Sequence, residues 1–225
     1  MFLAMTAEEI QNTSPLPDKI AFLGCHFSSE EPHPLELPQG ISKSCGIILD
    51  DREPIPHVTP EEIGDALSSL APAFILLDFQ RPPTENSRNL CGIISKLRIP
   101  TAMPPDYAKN LNCSVFLPPV PPHMPIEEYL TPWTHREIWL ELALDAVQIT
   151  VTAQGSRSSY FPHADPQPKA LTDSMLHCHY LITHKPDAFK FYCYRTREDI
   201  DALLSAHLPP NVTHTIGLYQ ELGGS

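Results

Sequence analysis

The sequence predicts a compact (β/α)8 TIM-like barrel, with some crossover helices replaced by proline-rich loops and a β-hairpin inserted late in the chain. Eight short apolar runs lead there, near residues 20–26, 46–50, 73–79, 99–103, 113–117, 147–152, 189–194 and 213–219. Most are continuously apolar, as strands buried on both faces are. Helix-start chemistry falls between several of them, and alternating strand and helix argues for a parallel sheet covered by helices. A chain of 225 residues lies toward the small end for eight such units. An open doubly wound sheet is the alternative.

Residues 1–18 read as an N-terminal arm, with one helical turn at 7–11, and residues 19–225 as a single barrel domain. "KIAFLGCHF" (19–27) is the first strand and "CGIILDD" (45–51) the second. In "VTPEEIGDALSSL", Thr59 caps, Pro60 fits the first helical position and Glu62 completes a capping box. "AFILLDF" (73–79) is the third strand, and "TENSRNLCGIISKL" (84–97) a helix capped by Thr84. "IPTAM" and "CSVFL" are short buried strands. Residues 134–155 carry two signals. Thr134 with Glu137 forms a capping box that favours a helix, whereas Leu140, Leu142 and Leu144 alternate as a hairpin arm turning at Asp145 does. "HCHYLITHKPDAFKFYCYR" (177–195) alternates on both sides of "HKPDA" and predicts a β-hairpin. Thr196 and Asp199 mark a helix start, and "VTHTIGLYQEL" closes the chain as a strand expected to pair with residues 19–27.

Composition narrows the function. The net charge is −12, and no stretch gathers Lys and Arg into a patch, which argues against nucleic acid and anionic membranes as partners. No apolar run approaches the roughly 18 residues of a membrane span. The six cysteines form no CxxC pair and mostly lie in apolar runs, so they read as reduced thiols in a cytoplasmic protein; their even number keeps a disulfide framework as the alternative. The 26 prolines cluster between apolar runs, as at 118–122, and read as stiff loops.

In a barrel of this type the site lies at the C-terminal ends of the strands. That rule selects Asp50 and Asp51, then Asp78, Gln80 and Arg81, then Gln154, then Tyr194 and Arg195, then Tyr219, Gln220 and Glu221. Residues two apart on a strand share a face, so Asp78 pairs with Gln80 and Tyr219 with Glu221. A carboxylate beside an amide can bind sugar hydroxyls or an acetamido group. It cannot by itself hydrolyse a glycoside, because an amide is no general acid.

"LLDFQRP" resembles the strand motif of the chitinase-type glycoside hydrolases of family 18, D-x-x-D-x-D-x-E. The resemblance sets Ala73, Leu76, Asp78 and Gln80 at its four acidic positions. It implies that Asp78 is the carboxylate that orients the substrate acetamide, and that the proton-donor position holds Gln80. "LDAVQITVTAQG" is similar to a later strand of that family, with Val151, Ala153 and Gln154 in place of Met, Tyr and Asp. "TIGLYQEL" is similar to its last strand, with Tyr219 in place of the Trp that floors the sugar site.

Three functions follow. The first is a barrel that binds a glycan or amino-sugar fragment with little or no hydrolysis, through catalytic-position residues Asp78, Gln80 and Glu221 and binding residues Asp50, Arg81, Gln154, Tyr194 and Tyr219. The second is an active hydrolase pairing Asp78 with Glu221, or with Glu141. The third is a non-enzymatic scaffold. No cofactor and no metal is expected, although His177 and His179, two apart, could hold zinc with His26 or an aspartate. "AQGSRSS" (153–159) reads as a loop over the barrel mouth, and Trp133 as a candidate sugar platform. Nothing in the residues fixes the oligomeric state.

Overall fold

In the computed structural model the described residues are 1–26, 45–51, 59–206 and 208–223. Eight strands close into a barrel: β1 (Phe2–Met5), β2 (Ile20–His26), β3 (Gly46–Asp50), β4 (Ile75–Asp78), β5 (Thr101–Met103), β6 (Ser114–Leu117), β7 (Ile138–Leu142) and, last in the chain, β13 (Val212–Leu218). Their order around the barrel is β1-β13-β7-β6-β5-β4-β3-β2. The predicted fold class is therefore present, but two of its eight strands differ from those expected.

The first correction concerns the N-terminus. Phe2–Met5 is not an arm. It is a barrel strand lying between β13 and β2 and parallel to both. Residues 212–218 accordingly pair with β1 and not with residues 20–26. The second concerns residues 134–145, which form neither a helix nor a hairpin arm. Ile138–Leu142 is a strand parallel to β6, with its register running from Val115 and Ile138 to Leu117 and Leu140. Glu137 has left the capping box. It accepts instead from the Trp139 indole at 3.2 Å and the Thr213 hydroxyl at 2.7 Å. Ile138, Trp139, Leu140 and Leu142 are all buried, so neither a helical nor an alternating pattern was the right template.

The remaining elements connect the strands. Helix α1 (Ala7–Asn12) follows β1, α2 (Pro60–Leu70) precedes β4, and α3 (Glu85–Ile94) precedes β5. Each is capped by the threonine before it, Thr6, Thr59 and Thr84, through a reciprocal capping box. Then the crossovers shrink. Helix α4 (Pro105–Ala108) has four residues, and the proline-rich stretch 118–125 leads to α5 (Ile126–Leu130). The barrel interior is packed solid by Ala4, Ala21, Ile48, Phe74, Leu76, Ala102, Phe116, Trp139 and Ile216. Gly46 makes room there, since a Cβ at that position would lie 2.1 Å from the Phe74 ring.

Between β7 and β13 the chain builds a second sheet. Strands β8 (Ala146–Thr152), β9 (Gly155–Phe161), β10 (Leu171–Asp173), β11 (Cys178–Lys185) and β12 (Ala188–Tyr194) are ordered β10-β11-β12-β8-β9, with every pairing antiparallel. The predicted hairpin is β11–β12. Residues 147–152 and 189–194, expected in the barrel, belong to this sheet. Residues 153–159, read as a loop over the mouth, form instead the β8–β9 turn and most of the edge strand β9. Helix α6 (Arg197–Ser205) leads back toward β13, and α7 (Tyr219–Leu222) ends the described chain. By contacts the chain divides into two compact units, Met1–Leu117 with Arg136–Leu140 and Thr213–Ser225, and Pro118–His135 with Glu141–Val212.

Candidate functional site

The barrel mouth is built by parity. Ile48 and Leu76 lie in the interior core, and Asp50 and Asp78 follow two residues later on the same faces of β3 and β4. The two strands are in register, so that Asp50 lies opposite Asp78 at their C-terminal ends. Asp50 is buried and Asp78 half-buried. Gln80 is exposed, and its side-chain amide donates to the Asp78 carboxylate. The expected carboxylate–amide pair is thus formed, with a second carboxylate on the adjoining strand.

Asp51, which the strand-end rule selects along with Asp50, holds this corner in place. Asp51 is 6% exposed and accepts from the backbone amides of Gln80 at 2.7 Å and Arg81 at 3.1 Å. The Tyr107 hydroxyl donates to the Arg81 carbonyl at 3.1 Å, and its ring meets Phe79 edge-on at 5.2 Å. The turn after β4 is clamped from both sides, while the Arg81 side chain is exposed. Replacing Asp51 with alanine should cost about 1.5–3 kcal/mol, the range for hydrogen bonds to a charged group. Thermal unfolding should shift down by roughly 4–10 °C. A shift below about 2 °C would mean that water takes over both amides.

A cavity of about 700 Å³ lies at the ends of β1, β2 and β13. It is lined by Thr6, Ala7, Glu8, Glu9, Asn12 and Thr13, by Leu23 and Gly24 of β2, and by Tyr219 and Gln220. Thr13 and Tyr219 bring their hydroxyls within 3.4 Å, which ties α7 to the end of α1. Asp78 and Gln80 are not among the described lining residues of this cavity. Strand β13 ends at Leu218, so Tyr219 and Glu221 lie on helix α7. At helical spacing two residues apart they no longer share a face, which corrects the strand-based pairing.

The other predicted residues fall in the unit that carries the antiparallel sheet. Gln154 is exposed in the β8–β9 turn, where its backbone amide donates to the Thr152 hydroxyl. It ends no barrel strand. Tyr194 is 2% exposed at the end of β12, and its hydroxyl accepts from the Gln167 amide at 3.0 Å, a packing role. Arg195 is buried too and donates to three backbone carbonyls, those of Val120, Leu176 and His177. Glu141 lies on β7, and its charge adds to burial in pushing the Tyr129 hydroxyl up to about 12. Trp133 is half-buried in a short turn, and its carbonyl accepts from Asn211.

His177 has a left-handed backbone, φ 47°, and precedes β11, so it does not share a strand face with His179. His179 is bound instead to Asp199 at 2.8 Å, which also accepts from Thr196 at the start of α6. The side chain of His26 lies outside the described residues. Among those described, no group of three or more His, Cys, Asp or Glu is placed to hold a metal ion. Cys45, Cys91, Cys113, Cys178 and Cys193 are free thiols, and burial pushes Cys45 up to about 11 and Cys91 and Cys178 up to about 12. They are packing residues, not nucleophiles.

No protein-family model matches the sequence, and no curated protein does. Solved structures do. The chain is similar to the family 18 chitinase of Cycas revoluta, whose structure holds (GlcNAc)4, with 10% identity and a TM-score of 0.53 over 96% of this chain and 93% of that one. It is also similar to the spore cortex-lytic enzyme SleL of Bacillus cereus, with 8% identity and a TM-score of 0.50 over 96% of this chain and 69% of that one. The fold is that of a chitinase-type barrel. On this chitinase-like barrel, "LLDFQRP" falls where its resemblance requires, on β4 and the turn after it. Leu76, at one of the motif's acidic positions, is 1% exposed inside the apolar core. "TIGLYQEL" runs through the last barrel strand into α7. "LDAVQITVTAQG" lies in the antiparallel sheet, so its likeness to a barrel strand does not hold.

Proposed function

We propose that this chitinase-like barrel binds a glycan or amino-sugar fragment at its mouth with little or no hydrolysis. The observation that carries this reading is the Gln80–Asp78 hydrogen bond. Asp78 stands at the end of β4 beside Asp50, and the position two residues on holds an amide that donates to Asp78. Gln80 can hold a sugar hydroxyl but cannot deliver a proton to a leaving oxygen. Leu76, buried in the apolar interior at a second acidic position of the motif, supports the same reading, because it leaves that position without a carboxylate. The oligosaccharide seen in the Cycas revoluta chitinase motivates the choice of ligand class. Free thiols among the described cysteines support a reducing, cytoplasmic compartment.

The test is a glycan panel, read both by binding and by product release. Chitooligosaccharides or related amino-sugar oligomers should bind and remain intact, with aryl-glycoside cleavage near the buffer rate. Rapid turnover by the unmodified protein would overturn the proposal and favour a hydrolase using another acid beside Asp78. A protein that binds nothing in the panel would leave the barrel as a scaffold.

A further inference from the structure

The cavity between α1, β2 and α7 has a lining that selects charge as well as shape. Two carboxylates lie on its α1 side. Glu8 is exposed, and Glu9 is half-buried, with one oxygen accepting from the Thr6 backbone amide at 2.7 Å and the Thr6 hydroxyl at 3.0 Å. Asn12, Thr13 and Gln220 add amide and hydroxyl groups, and Tyr219 adds an aromatic ring. Among the described residues, no Lys or Arg lines the cavity. The floor is shaped by an irregularity, since β2 shifts register between Leu23 and Cys25. A Cβ on the intervening Gly24 would lie 2.5 Å from the Phe22 ring. Bulges of this kind recur beside functional sites because they re-aim the chain.

We propose that this cavity binds a sugar carrying a free, protonated amine, a glucosamine-type unit or short oligomer, in preference to its N-acetylated form. The inference rests on the carbohydrate-binding reading and adds the substrate class. Its volume of about 700 Å³ is within the usual range for small-molecule sites, roughly 300–1,000 Å³. Amide and hydroxyl side chains pair with sugar hydroxyls, and the Tyr219 ring offers a flat wall to the C–H face of a pyranose. Those groups treat the acetylated and the free amino sugar alike. The carboxylates do not. An ammonium beside Glu8 and Glu9 gains an ion pair that a neutral acetamide lacks, and a chain of net charge −12 draws the cation in from a distance.

The experiment is titration calorimetry on the full chain at mildly acidic pH and low salt, with glucosamine oligomers, their N-acetylated counterparts and spermidine. Glucosamine oligomers should bind about fivefold more tightly than the acetylated ones, the upper end for a partly exposed ion pair. Glu8→Gln should erase that preference. Glu8 takes no part in the capping box, so the variant should keep the wild-type melting temperature. Raising the pH until the sugar amine is neutral should also erase the preference. Equal or tighter binding of the acetylated oligomer would overturn the amine selectivity and leave carbohydrate binding standing. Failure of both sugars to bind would sink both readings. Spermidine binding as well as the amino sugar would reduce the site to a non-selective cation trap. A preference that survives Glu8→Gln would place the amine elsewhere.

Discussion

Trp139→Ala should lower the unfolding free energy by about 3–5 kcal/mol, the range for removing a buried indole from a close-packed core. Trp139 is fully buried on β7. It meets Phe74 edge-on at 5.0 Å and lies over the His214 ring at 4.2 Å, while Phe2 meets Phe74 at 4.8 Å. These rings come from β1, β7, β13 and the residue before β4, so one side chain joins parts of the barrel far apart in sequence. The truncation also removes the indole donor from Glu137. Thermal unfolding should shift down by roughly 10–15 °C. Trp139→Phe, which keeps an aromatic ring against Phe74, should recover much of the loss. A melting point within about 2 °C of the wild type for the alanine variant would show that the interior collapses around the gap.

The same residue explains why part of the fold was legible and part was not. Capping boxes at Thr59, Thr84 and Thr196 are local chemistry, and each marked a helix start correctly. The apolar runs at 46–50 and 73–79 read as buried strands because both of their faces are covered. Residues 138–142 carry the same burial, but Thr134 and Glu137 imitate a capping box, and Glu137 is in fact bonded to Thr213, 76 residues away. No local window contains that partner. Phe2–Met5 is too short to look like a strand alone, and its identity as one depends on β13 at the other end of the chain. Conversely, 147–152 and 189–194 are apolar enough for a parallel strand, yet they pair antiparallel with each other.

The candidate site was legible to the same degree. Asp78 and Gln80, read as sharing a strand face, are bonded even though Gln80 lies in the turn just after β4, and the C-terminal-end rule gave Asp50. The same rule selected Asp51 but not its bonds to the amides of residues 80 and 81, and Glu8, Asn12 and Thr13 were missed because their roles depend on which cavity walls they meet across the fold. Gln154 and Tyr194 were selected only because their strands were assigned to the barrel.

Gln80→Glu should raise glycoside cleavage above the wild type by on the order of 10²-fold or more, within the range of about 10²–10⁴ that a positioned general acid contributes. The amide now at Gln80 donates to Asp78. A carboxyl group there keeps that contact only when protonated, since two ionised carboxylates at hydrogen-bond distance repel each other. The new acid is therefore held protonated above the ordinary glutamate range, which is the state a proton donor needs. Stability supplies a second readout with a definite sign. At low pH the new side chain is neutral in both the folded and the unfolded chain and costs nothing. As the pH rises past the unfolded value, roughly 4.3 for glutamate, the unfolded chain ionises first and the variant loses stability relative to wild type until the folded group also ionises. The expected pattern is a bell-shaped rate profile on an aryl amino-sugar substrate, together with a melting temperature that falls as the pH is raised. A variant that retains ligand binding and shows the stability shift, yet cleaves no faster than wild type, would show that Asp78 and position 80 do not face the scissile bond.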